Sequence, residues 1–205
     1  MNFLAHLYTS GEDCEIILGN FIADHVKGNK ILSFSPKVQA GIRLHRTIDA
    51  FTDSHPIVTQ SKQRLRLEYG KYASVIVDIY YDHFLAKYWN EYSDKKLLDY
   101  TASAYRLLMR NFFNLPSRTK KLLPFMVKSN WLYSYRDTEF LKWVFERMAQ
   151  RTRFHSGMET AVLALLRDYN DYEIEFRAFF SLLTEFAEKE LKQLNVDLAE
   201  DIMSK

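Results

Sequence analysis

The 205-residue chain has one cysteine, six glycines and four prolines. A single thiol, Cys14, can neither close an internal disulfide nor build a thiolate metal site. A disulfide-stapled secreted scaffold and a zinc ribbon are therefore excluded, and a reducing cytosol is the expected compartment. So few breakers leave room for long helices. No sign of charge dominates either: 28 Lys and Arg stand against 26 Asp and Glu, a formal net charge of +2. That excludes a protein that holds polyanions by bulk charge, although local patches remain open. No window approaches the roughly 20 apolar residues of a membrane span. The opening Met-Asn-Phe-Leu-Ala-His-Leu-Tyr has no basic flank and no apolar core of signal-peptide length. A soluble, cytoplasmic protein without a membrane partner is expected.

The chain is rich in aromatic residues, with 13 Tyr, 15 Phe and 3 Trp, and 47% of it is hydrophobic. That suffices for the core of one domain spanning residues 1–205. Strand-type alternation and hairpin dipeptides do not occur. Helical runs do, punctuated by the breakers. They cover Glu12–Lys27, then Pro36–Ser54 behind a Ser35 N-cap with Pro56 marking its end, and Lys71–Tyr92. Another runs from Ser93 or Asp94 to Asn114. Thr119–Tyr135 (interrupted at Pro124), Thr138–Arg153, Glu159–Asn170 and Tyr172–Leu194 follow. The expected fold is all-α, a bundle of about seven to nine helices.

Two of these helices carry acid pairs that do not read as ordinary surface. On Pro36–Ser54, His45, Asp49 and Asp53 recur at i, i+4, i+8 and share a face. On Lys71–Tyr92, Asp78 and Asp82 repeat the spacing beside His83, within a nearly all-apolar stretch. Buried carboxylates need a cation or hydrogen-bond donors. Asn20 and Asp24 add oxygen ligands on one face of an earlier helix, where Gly19 permits close helix approach. Five of the six histidines fall within the first 83 residues. Oxygen and imidazole ligands without thiolates suit Mn²⁺, Mg²⁺, Fe²⁺ or Zn²⁺. Taken singly, each acid pair reads equally as a solvated face or as an ion pair with Arg43 or Arg46, and a lone His6 reads as a core residue.

Three segments carry a resemblance: MNFLAHLY with GNFIAD ending at Asp24, GIRLHRTIDAFTDSHP from Gly41 to Pro56, and GKYASVIVDIYYDHFLAKYW from Gly70 to Trp89. Over about the first 90 residues the chain resembles the acyl carrier protein phosphodiesterase family. His25 departs from the apolar or aromatic residue expected there. The resemblance implies an all-helical fold distantly similar to HD-type metal phosphohydrolases. It also implies hydrolysis of the phosphodiester joining 4′-phosphopantetheine to a serine of holo acyl carrier protein, with a divalent cation, Mn²⁺ first and Mg²⁺ or Fe²⁺ as alternatives. The expected metal ligands are Asp24, His45, Asp49, Asp78 and Asp82, with His6 as a ligand or an orienting partner. Asp53, His55 and His83 are candidates for proton transfer to the leaving alkoxide. Arg43 and Arg46 are candidates for holding the phosphate.

An acidic carrier protein calls for a basic face. Arg106, Arg110, Arg118, Lys120, Lys121 and Lys128 fall in a stretch with no acidic residue, and Lys62, Arg64, Arg66 and Lys71 form a second cluster. Lys62, Arg64, Arg66, Arg118, Lys120 and Lys121 are the expected partner-binding residues. Nucleic acid is not an expected partner, because the interleaved aromatics sit at helical spacing and read as core. Two competitors remain at this point. One is a phosphohydrolase of a small phosphoester or nucleotide, and the other is a non-enzymatic helical binding module. Oligomeric state is open.

Overall fold

A computed structural model describes residues 2–203, and these are helical almost throughout, with no strand among them. Eleven α-helices occur in the described residues: α1 Phe3–Tyr8, α2 Cys14–Ile22, α3 Pro36–Ser54, α4 Pro56–Tyr69, α5 Ala73–Lys87, α6 Leu97–Arg110, α7 Ser117–Lys128, α8 Trp131–Ser134, α9 Thr138–Ala149, α10 Ala161–Arg167 and α11 Tyr169–Met203. The all-α expectation holds. None of these helices is long and apolar enough to cross a membrane.

The count exceeds the expected seven to nine for identifiable reasons. Pro56 does end α3, but it also occupies the first turn of α4, where its missing N–H costs nothing. His55 closes one helix and caps the next, with its ring Nδ1 accepting the Ile57 amide at 3.3 Å. Pro124 does not interrupt α7: it lies on an exposed part of the helix, where water can serve the carbonyl left without its usual partner. The break comes instead at Asn130, the one non-glycine residue with positive φ (44°) among those described. The Lys71–Tyr92 run resolves into α5 between two 3₁₀ turns, at Gly70–Tyr72 and Trp89–Glu91.

Helix α5 is the axis of the core. From Ile76 to Ala86 only Asp78 is not buried. Phe176, Phe179 and Phe180 of α11 pack against Tyr81 and Phe84 of α5 in one continuous aromatic cluster. The buried Ser61 and Glu175 beside this wall are matched. Ser61 bonds both Tyr81 and Glu175, and Glu175 receives a two-pronged contact from Arg64 at 2.9 and 2.8 Å. Helices α2 and α3 meet more closely than any side chain would permit. A Cβ at Gly19 would lie 2.1 Å from the Val38 carbonyl oxygen, and one at Gly41 would lie 2.2 Å from that of Ile16. Backbone meets backbone here, and that proximity positions the site.

Candidate metal centre

Four segments converge on one cluster. Helix α1 contributes His6, α2 contributes Asn20, the 3₁₀ turn Ala23–His25 contributes Asp24, and α3 contributes His45 and Asp49. The His6 and His45 rings stack with centroids 3.9 Å apart and planes 18° from parallel. Asp49 reaches both rings, His6 Nε2 at 3.1 Å through one oxygen and His45 Nε2 at 3.1 Å through the other. Asp24 approaches His45 Nε2 to 3.4 Å from the exposed side.

Asn20 sets the orientation of His45. Its amide donates to the His6 carbonyl at 3.1 Å, and its Oδ1 lies 3.0 Å from His45 Nδ1. The amide oxygen can only accept, so His45 keeps a proton on Nδ1, and Nε2 is the ring atom that faces the two carboxylates and that carries the titrating proton. A partner of this kind is what orients an imidazole where it does ligate a metal.

The charges are strongly coupled. Burial alone would lower the pKa of His45, but Asp24 and Asp49 outweigh it and hold the group at about 9. His6 falls to about 4, through burial and then the neighbouring His45 charge. Burial would raise Asp49, yet His45 and His6 overcome it and pull this carboxyl well below the usual range. Asp24 is also lowered, chiefly by His45.

The residues fit a divalent cation. His6, His45 and Asp49 each offer a ligand atom, all within 4.8 Å of one another. One buried ring nitrogen here, His6 Nδ1, has no hydrogen bond among the described residues, and His45 Nε2 has only its ion-pair contacts with Asp24 and Asp49. An orphaned buried nitrogen is costly unless something binds it. A narrow pocket of about 20 Å³, lined by His6, Asn20, Asp24 and His45, opens beside the pair. That is room for one small ion or water. Two imidazoles and carboxylate oxygen form a donor set for Mn²⁺, Fe²⁺ or Zn²⁺.

The other expected ligands lie differently. Asp82 is fully buried, and its two oxygens accept the amides of Leu4 and Ala5 at 2.8 and 3.0 Å. It anchors the first turn of α1, which carries His6. Burial lifts its pKa to about 7 against the pull of those amides. Asp78 is half-buried one turn earlier and is likewise raised by burial. Asp53 is exposed and pairs with Lys62 at 2.7 Å. His55 caps α4 and stacks on Phe51 and Phe179. His83 belongs to another neighbourhood: Nδ1 meets the Tyr135 carbonyl at 2.9 Å and Nε2 meets the Tyr169 hydroxyl at 2.7 Å, while burial lowers its pKa to about 4. Arg46 spends one N–H on the Val26 carbonyl at 3.1 Å, and Arg43 is exposed on α3. Of the histidines and carboxylates named from sequence, the structure joins His6, Asp24, His45 and Asp49. Asn20 was visible only as sharing a face with Asp24, because its role depends on a neighbour 25 residues away.

The basic stretch reaches the edge of this cluster. His25, next to Asp24, bonds Thr119 of α7 at 2.7 Å, and Arg118 stands close enough to His25 to depress its pKa after burial has done so. Arg118, Lys121 and Lys128 are exposed along α7, while Lys120 donates to the Phe113 carbonyl at 2.7 Å. In the second basic cluster Arg66 is exposed, whereas Lys62 is tied to Asp53 and Arg64 to Glu175.

Comparison with known proteins bears on this geometry. Residues 1–183 match the family model described as acyl carrier protein phosphodiesterase. A protein of that name from Photorhabdus laumondii is 34% identical over 193 residues, covering 92% of this chain and 96% of the relative. One from Escherichia coli is 34% identical over 190 residues, covering 92% and 98%. One from Pectobacterium atrosepticum is 31% identical over 188 residues, covering 91% and 97%. No solved structure matches, so the expected likeness to HD-type phosphohydrolases carries no argument. The sequence match spans nearly all of both chains, and on that ground the chain belongs to the acyl carrier protein phosphodiesterase family of enzymes.

Proposed function

We propose that this chain is a metal-dependent phosphodiesterase that releases 4′-phosphopantetheine from the serine of holo acyl carrier protein. The observation that carries the reading is the stacked His6–His45 pair, bridged by Asp49, with His6 Nδ1 buried and without a hydrogen bond among the described residues. The family relationship supplies the substrate named for its relatives.

His6, His45 and Asp49 would hold the ion, with Asp24 at its open side. A bound divalent cation, Mn²⁺ first and Mg²⁺ or Fe²⁺ as alternatives, supplies charge neutralisation for the phosphoryl oxygens and a water acidified toward neutral pH. Asn20 holds the Nδ1–H of His45, so that Nε2, once it gives up its proton, would be the ring's ligand atom. Asp49 receives both imidazoles and fixes their spacing. Asp24, exposed and ionised at neutral pH, can accept a proton at its free oxygen. The buried faces of both rings limit water to the pocket side.

The approach of α7 to this cluster supports docking of an acidic carrier beside it. Arg118 lies next to Thr119, which is bonded to the turn that carries Asp24, and Lys121 follows two residues on along the exposed side of α7. Charge complementarity would steer the encounter and place the carrier's serine arm over the pocket.

The test is mass-spectrometric. Holo acyl carrier protein incubated with enzyme and Mn²⁺ should lose the 4′-phosphopantetheine mass. EDTA or Asp49→Ala should block the loss. Metal binding without mass loss would transfer the reading to a small phosphoester. Neither binding nor mass loss would leave only a helical binding module.

A further inference from the structure

We infer that the cleft between α5, α9 and α11 is a second, metal-independent binding site for a phosphate monoester. The open cleft, of about 520 Å³, is lined by His83, Lys87, Arg136, Asp137, Thr138 and Tyr169. None of these side chains belongs to the cluster of His6, His45 and Asp49.

The cleft is built around a fixed hydrogen-bond relay. The Tyr135 carbonyl can only accept, so His83 carries its proton on Nδ1. Its Nε2 therefore accepts the Tyr169 hydroxyl. The oxygen of that hydroxyl then takes one N–H of Lys87 at 2.7 Å. The ammonium also sits over the Tyr169 ring, 4.5 Å from its centroid. A lysine held from both sides is not a freely swinging surface charge, and two of its N–H bonds remain for a ligand.

The second cation is oriented in a similar way. The guanidinium of Arg136 lies 4.5 Å from the Tyr133 ring centroid. Among the described residues neither Lys87 nor Arg136 pairs with a carboxylate. The only acid lining the cleft, Asp137, uses Oδ1 to cap α9 at the Glu139 amide, 3.0 Å away. Thr138 adds a hydroxyl at the first residue of α9, the end that favours anions.

Two fixed cations, a hydroxyl and a helix N-terminus around one opening are matched by an oxyanion with several terminal oxygens. Arginine reads such a group through paired N–H donors, and lysine as a point charge. A phosphate monoester, dianionic near pH 7.5, brings two negative charges and three terminal oxygens to the two cations, whereas a carboxylate brings one charge and two oxygens.

The test uses inorganic phosphate as probe, by ³¹P NMR and calorimetry on the full chain in EDTA at pH 7.5. Chelation makes the outcome independent of the metal reading. Saturable binding is expected. Lys87→Gln and Arg136→Gln should each weaken it about tenfold, the size expected for a charge-assisted hydrogen bond. The double substitution should abolish it, and Asp49→Asn should leave it unchanged. Both substituted side chains are exposed, and circular dichroism checks their folding. If Lys87→Gln disturbs the relay and the fold, Arg136→Gln alone decides. Absence of saturable binding overturns the proposal. So does equal affinity in the Arg136 variant, loss of binding in Asp49→Asn, or equally tight binding of acetate.

Discussion

Gly41→Ala tests whether the backbone contact of α2 and α3 sets the metal centre. The new methyl carbon would stand 2.2 Å from the Ile16 oxygen and 2.9 Å from the Asn20 nitrogen. Ordinary contact begins near 3.4 Å, so α2 must recede from α3 by about 1.2 Å. Neither obstacle is a side-chain tip that can swing away, because both are backbone. Asn20 rides on α2 and His45 on α3, and their 3.0 Å bond would open past hydrogen-bonding range. Overpacking of this kind costs about 1–3 kcal/mol, and a broken buried hydrogen bond about as much again. For a domain of this size the melting temperature should fall by roughly 10 °C. Mn²⁺ affinity should fall roughly 10–100-fold, as when an outer partner of a ligating histidine is lost. Gly28→Ala is the control: φ is +55° there with no atom within 4 Å, so only backbone strain of about 1 kcal/mol applies. Calorimetric melting and Mn²⁺ titration read both effects. A Gly41→Ala protein that melts within 2 °C of the parent and binds Mn²⁺ equally well would refute the reasoning.

Asn20→Ala should reduce Mn²⁺ affinity by about 10–100-fold while leaving the KM for acyl carrier protein unchanged, which titration and steady-state kinetics separate. In EDTA, stability should fall as pH rises from 7 to 10. The pKa of His45 is raised from 6.5 to about 9, so its contribution is complete below 6.5 and lost on passing 9, worth about 3 kcal/mol at 1.36 per unit. Melting curves against pH should show that fall, and His45→Gln or saturating Mn²⁺ should flatten it. Glu175→Ala should cost about 1–3 kcal/mol in urea unfolding, because Ser61 loses a buried partner while the part-exposed Arg64 keeps Asp171 nearby, with kcat at saturating metal unaffected. Reversing charge with Arg118→Glu and Lys121→Glu should lower kcat/KM for the carrier about tenfold and weaken its salt dependence, yet leave hydrolysis of a small chromogenic phosphodiester intact.

His45 and Asp49 were legible because helical spacing alone puts them on one face, and Gly19 because a small residue beside polar ones suggests a close crossing. Asp24 followed from the same reasoning. Asp82 was legible as a buried acid in need of donors, but not as an anchor. Its partners are the amides of Leu4 and Ala5, and backbone groups have no residue identity for a sequence to reveal. His83 lies away from the cluster, since neighbours on a helix diverge by about 100° and adjacency to Asp82 leaves its direction open. Its partners, Tyr135 and Tyr169, lie 52 and 86 residues away. Helix α4 was overlooked because a proline can stop one helix and start another, and only the cap formed by His55 decides between them. Of the six basic residues expected to meet the partner, Lys62 and Arg64 were indistinguishable in sequence from Arg118 and Lys121. Acids at Asp53 and Glu175 hold the first two and spare the others.

The anchoring of α1 by Asp82 separates where the ligands lie from when they can work. His6, His45 and Asp49 all fall within the first 49 residues, so a nascent chain carries every ligand long before α5 emerges. Six residues are too few to hold a helix unaided, and in that early segment Asn2 serves only the Phe3 amide, leaving those of Leu4 and Ala5 without the carboxylate that grips them. A fragment ending at Tyr72 would therefore hold the complete ligand set and bind metal weakly. On the proposed metal reading, an ion would not seed this fold, because the cluster is complete only once the helix at the centre of the core has been made.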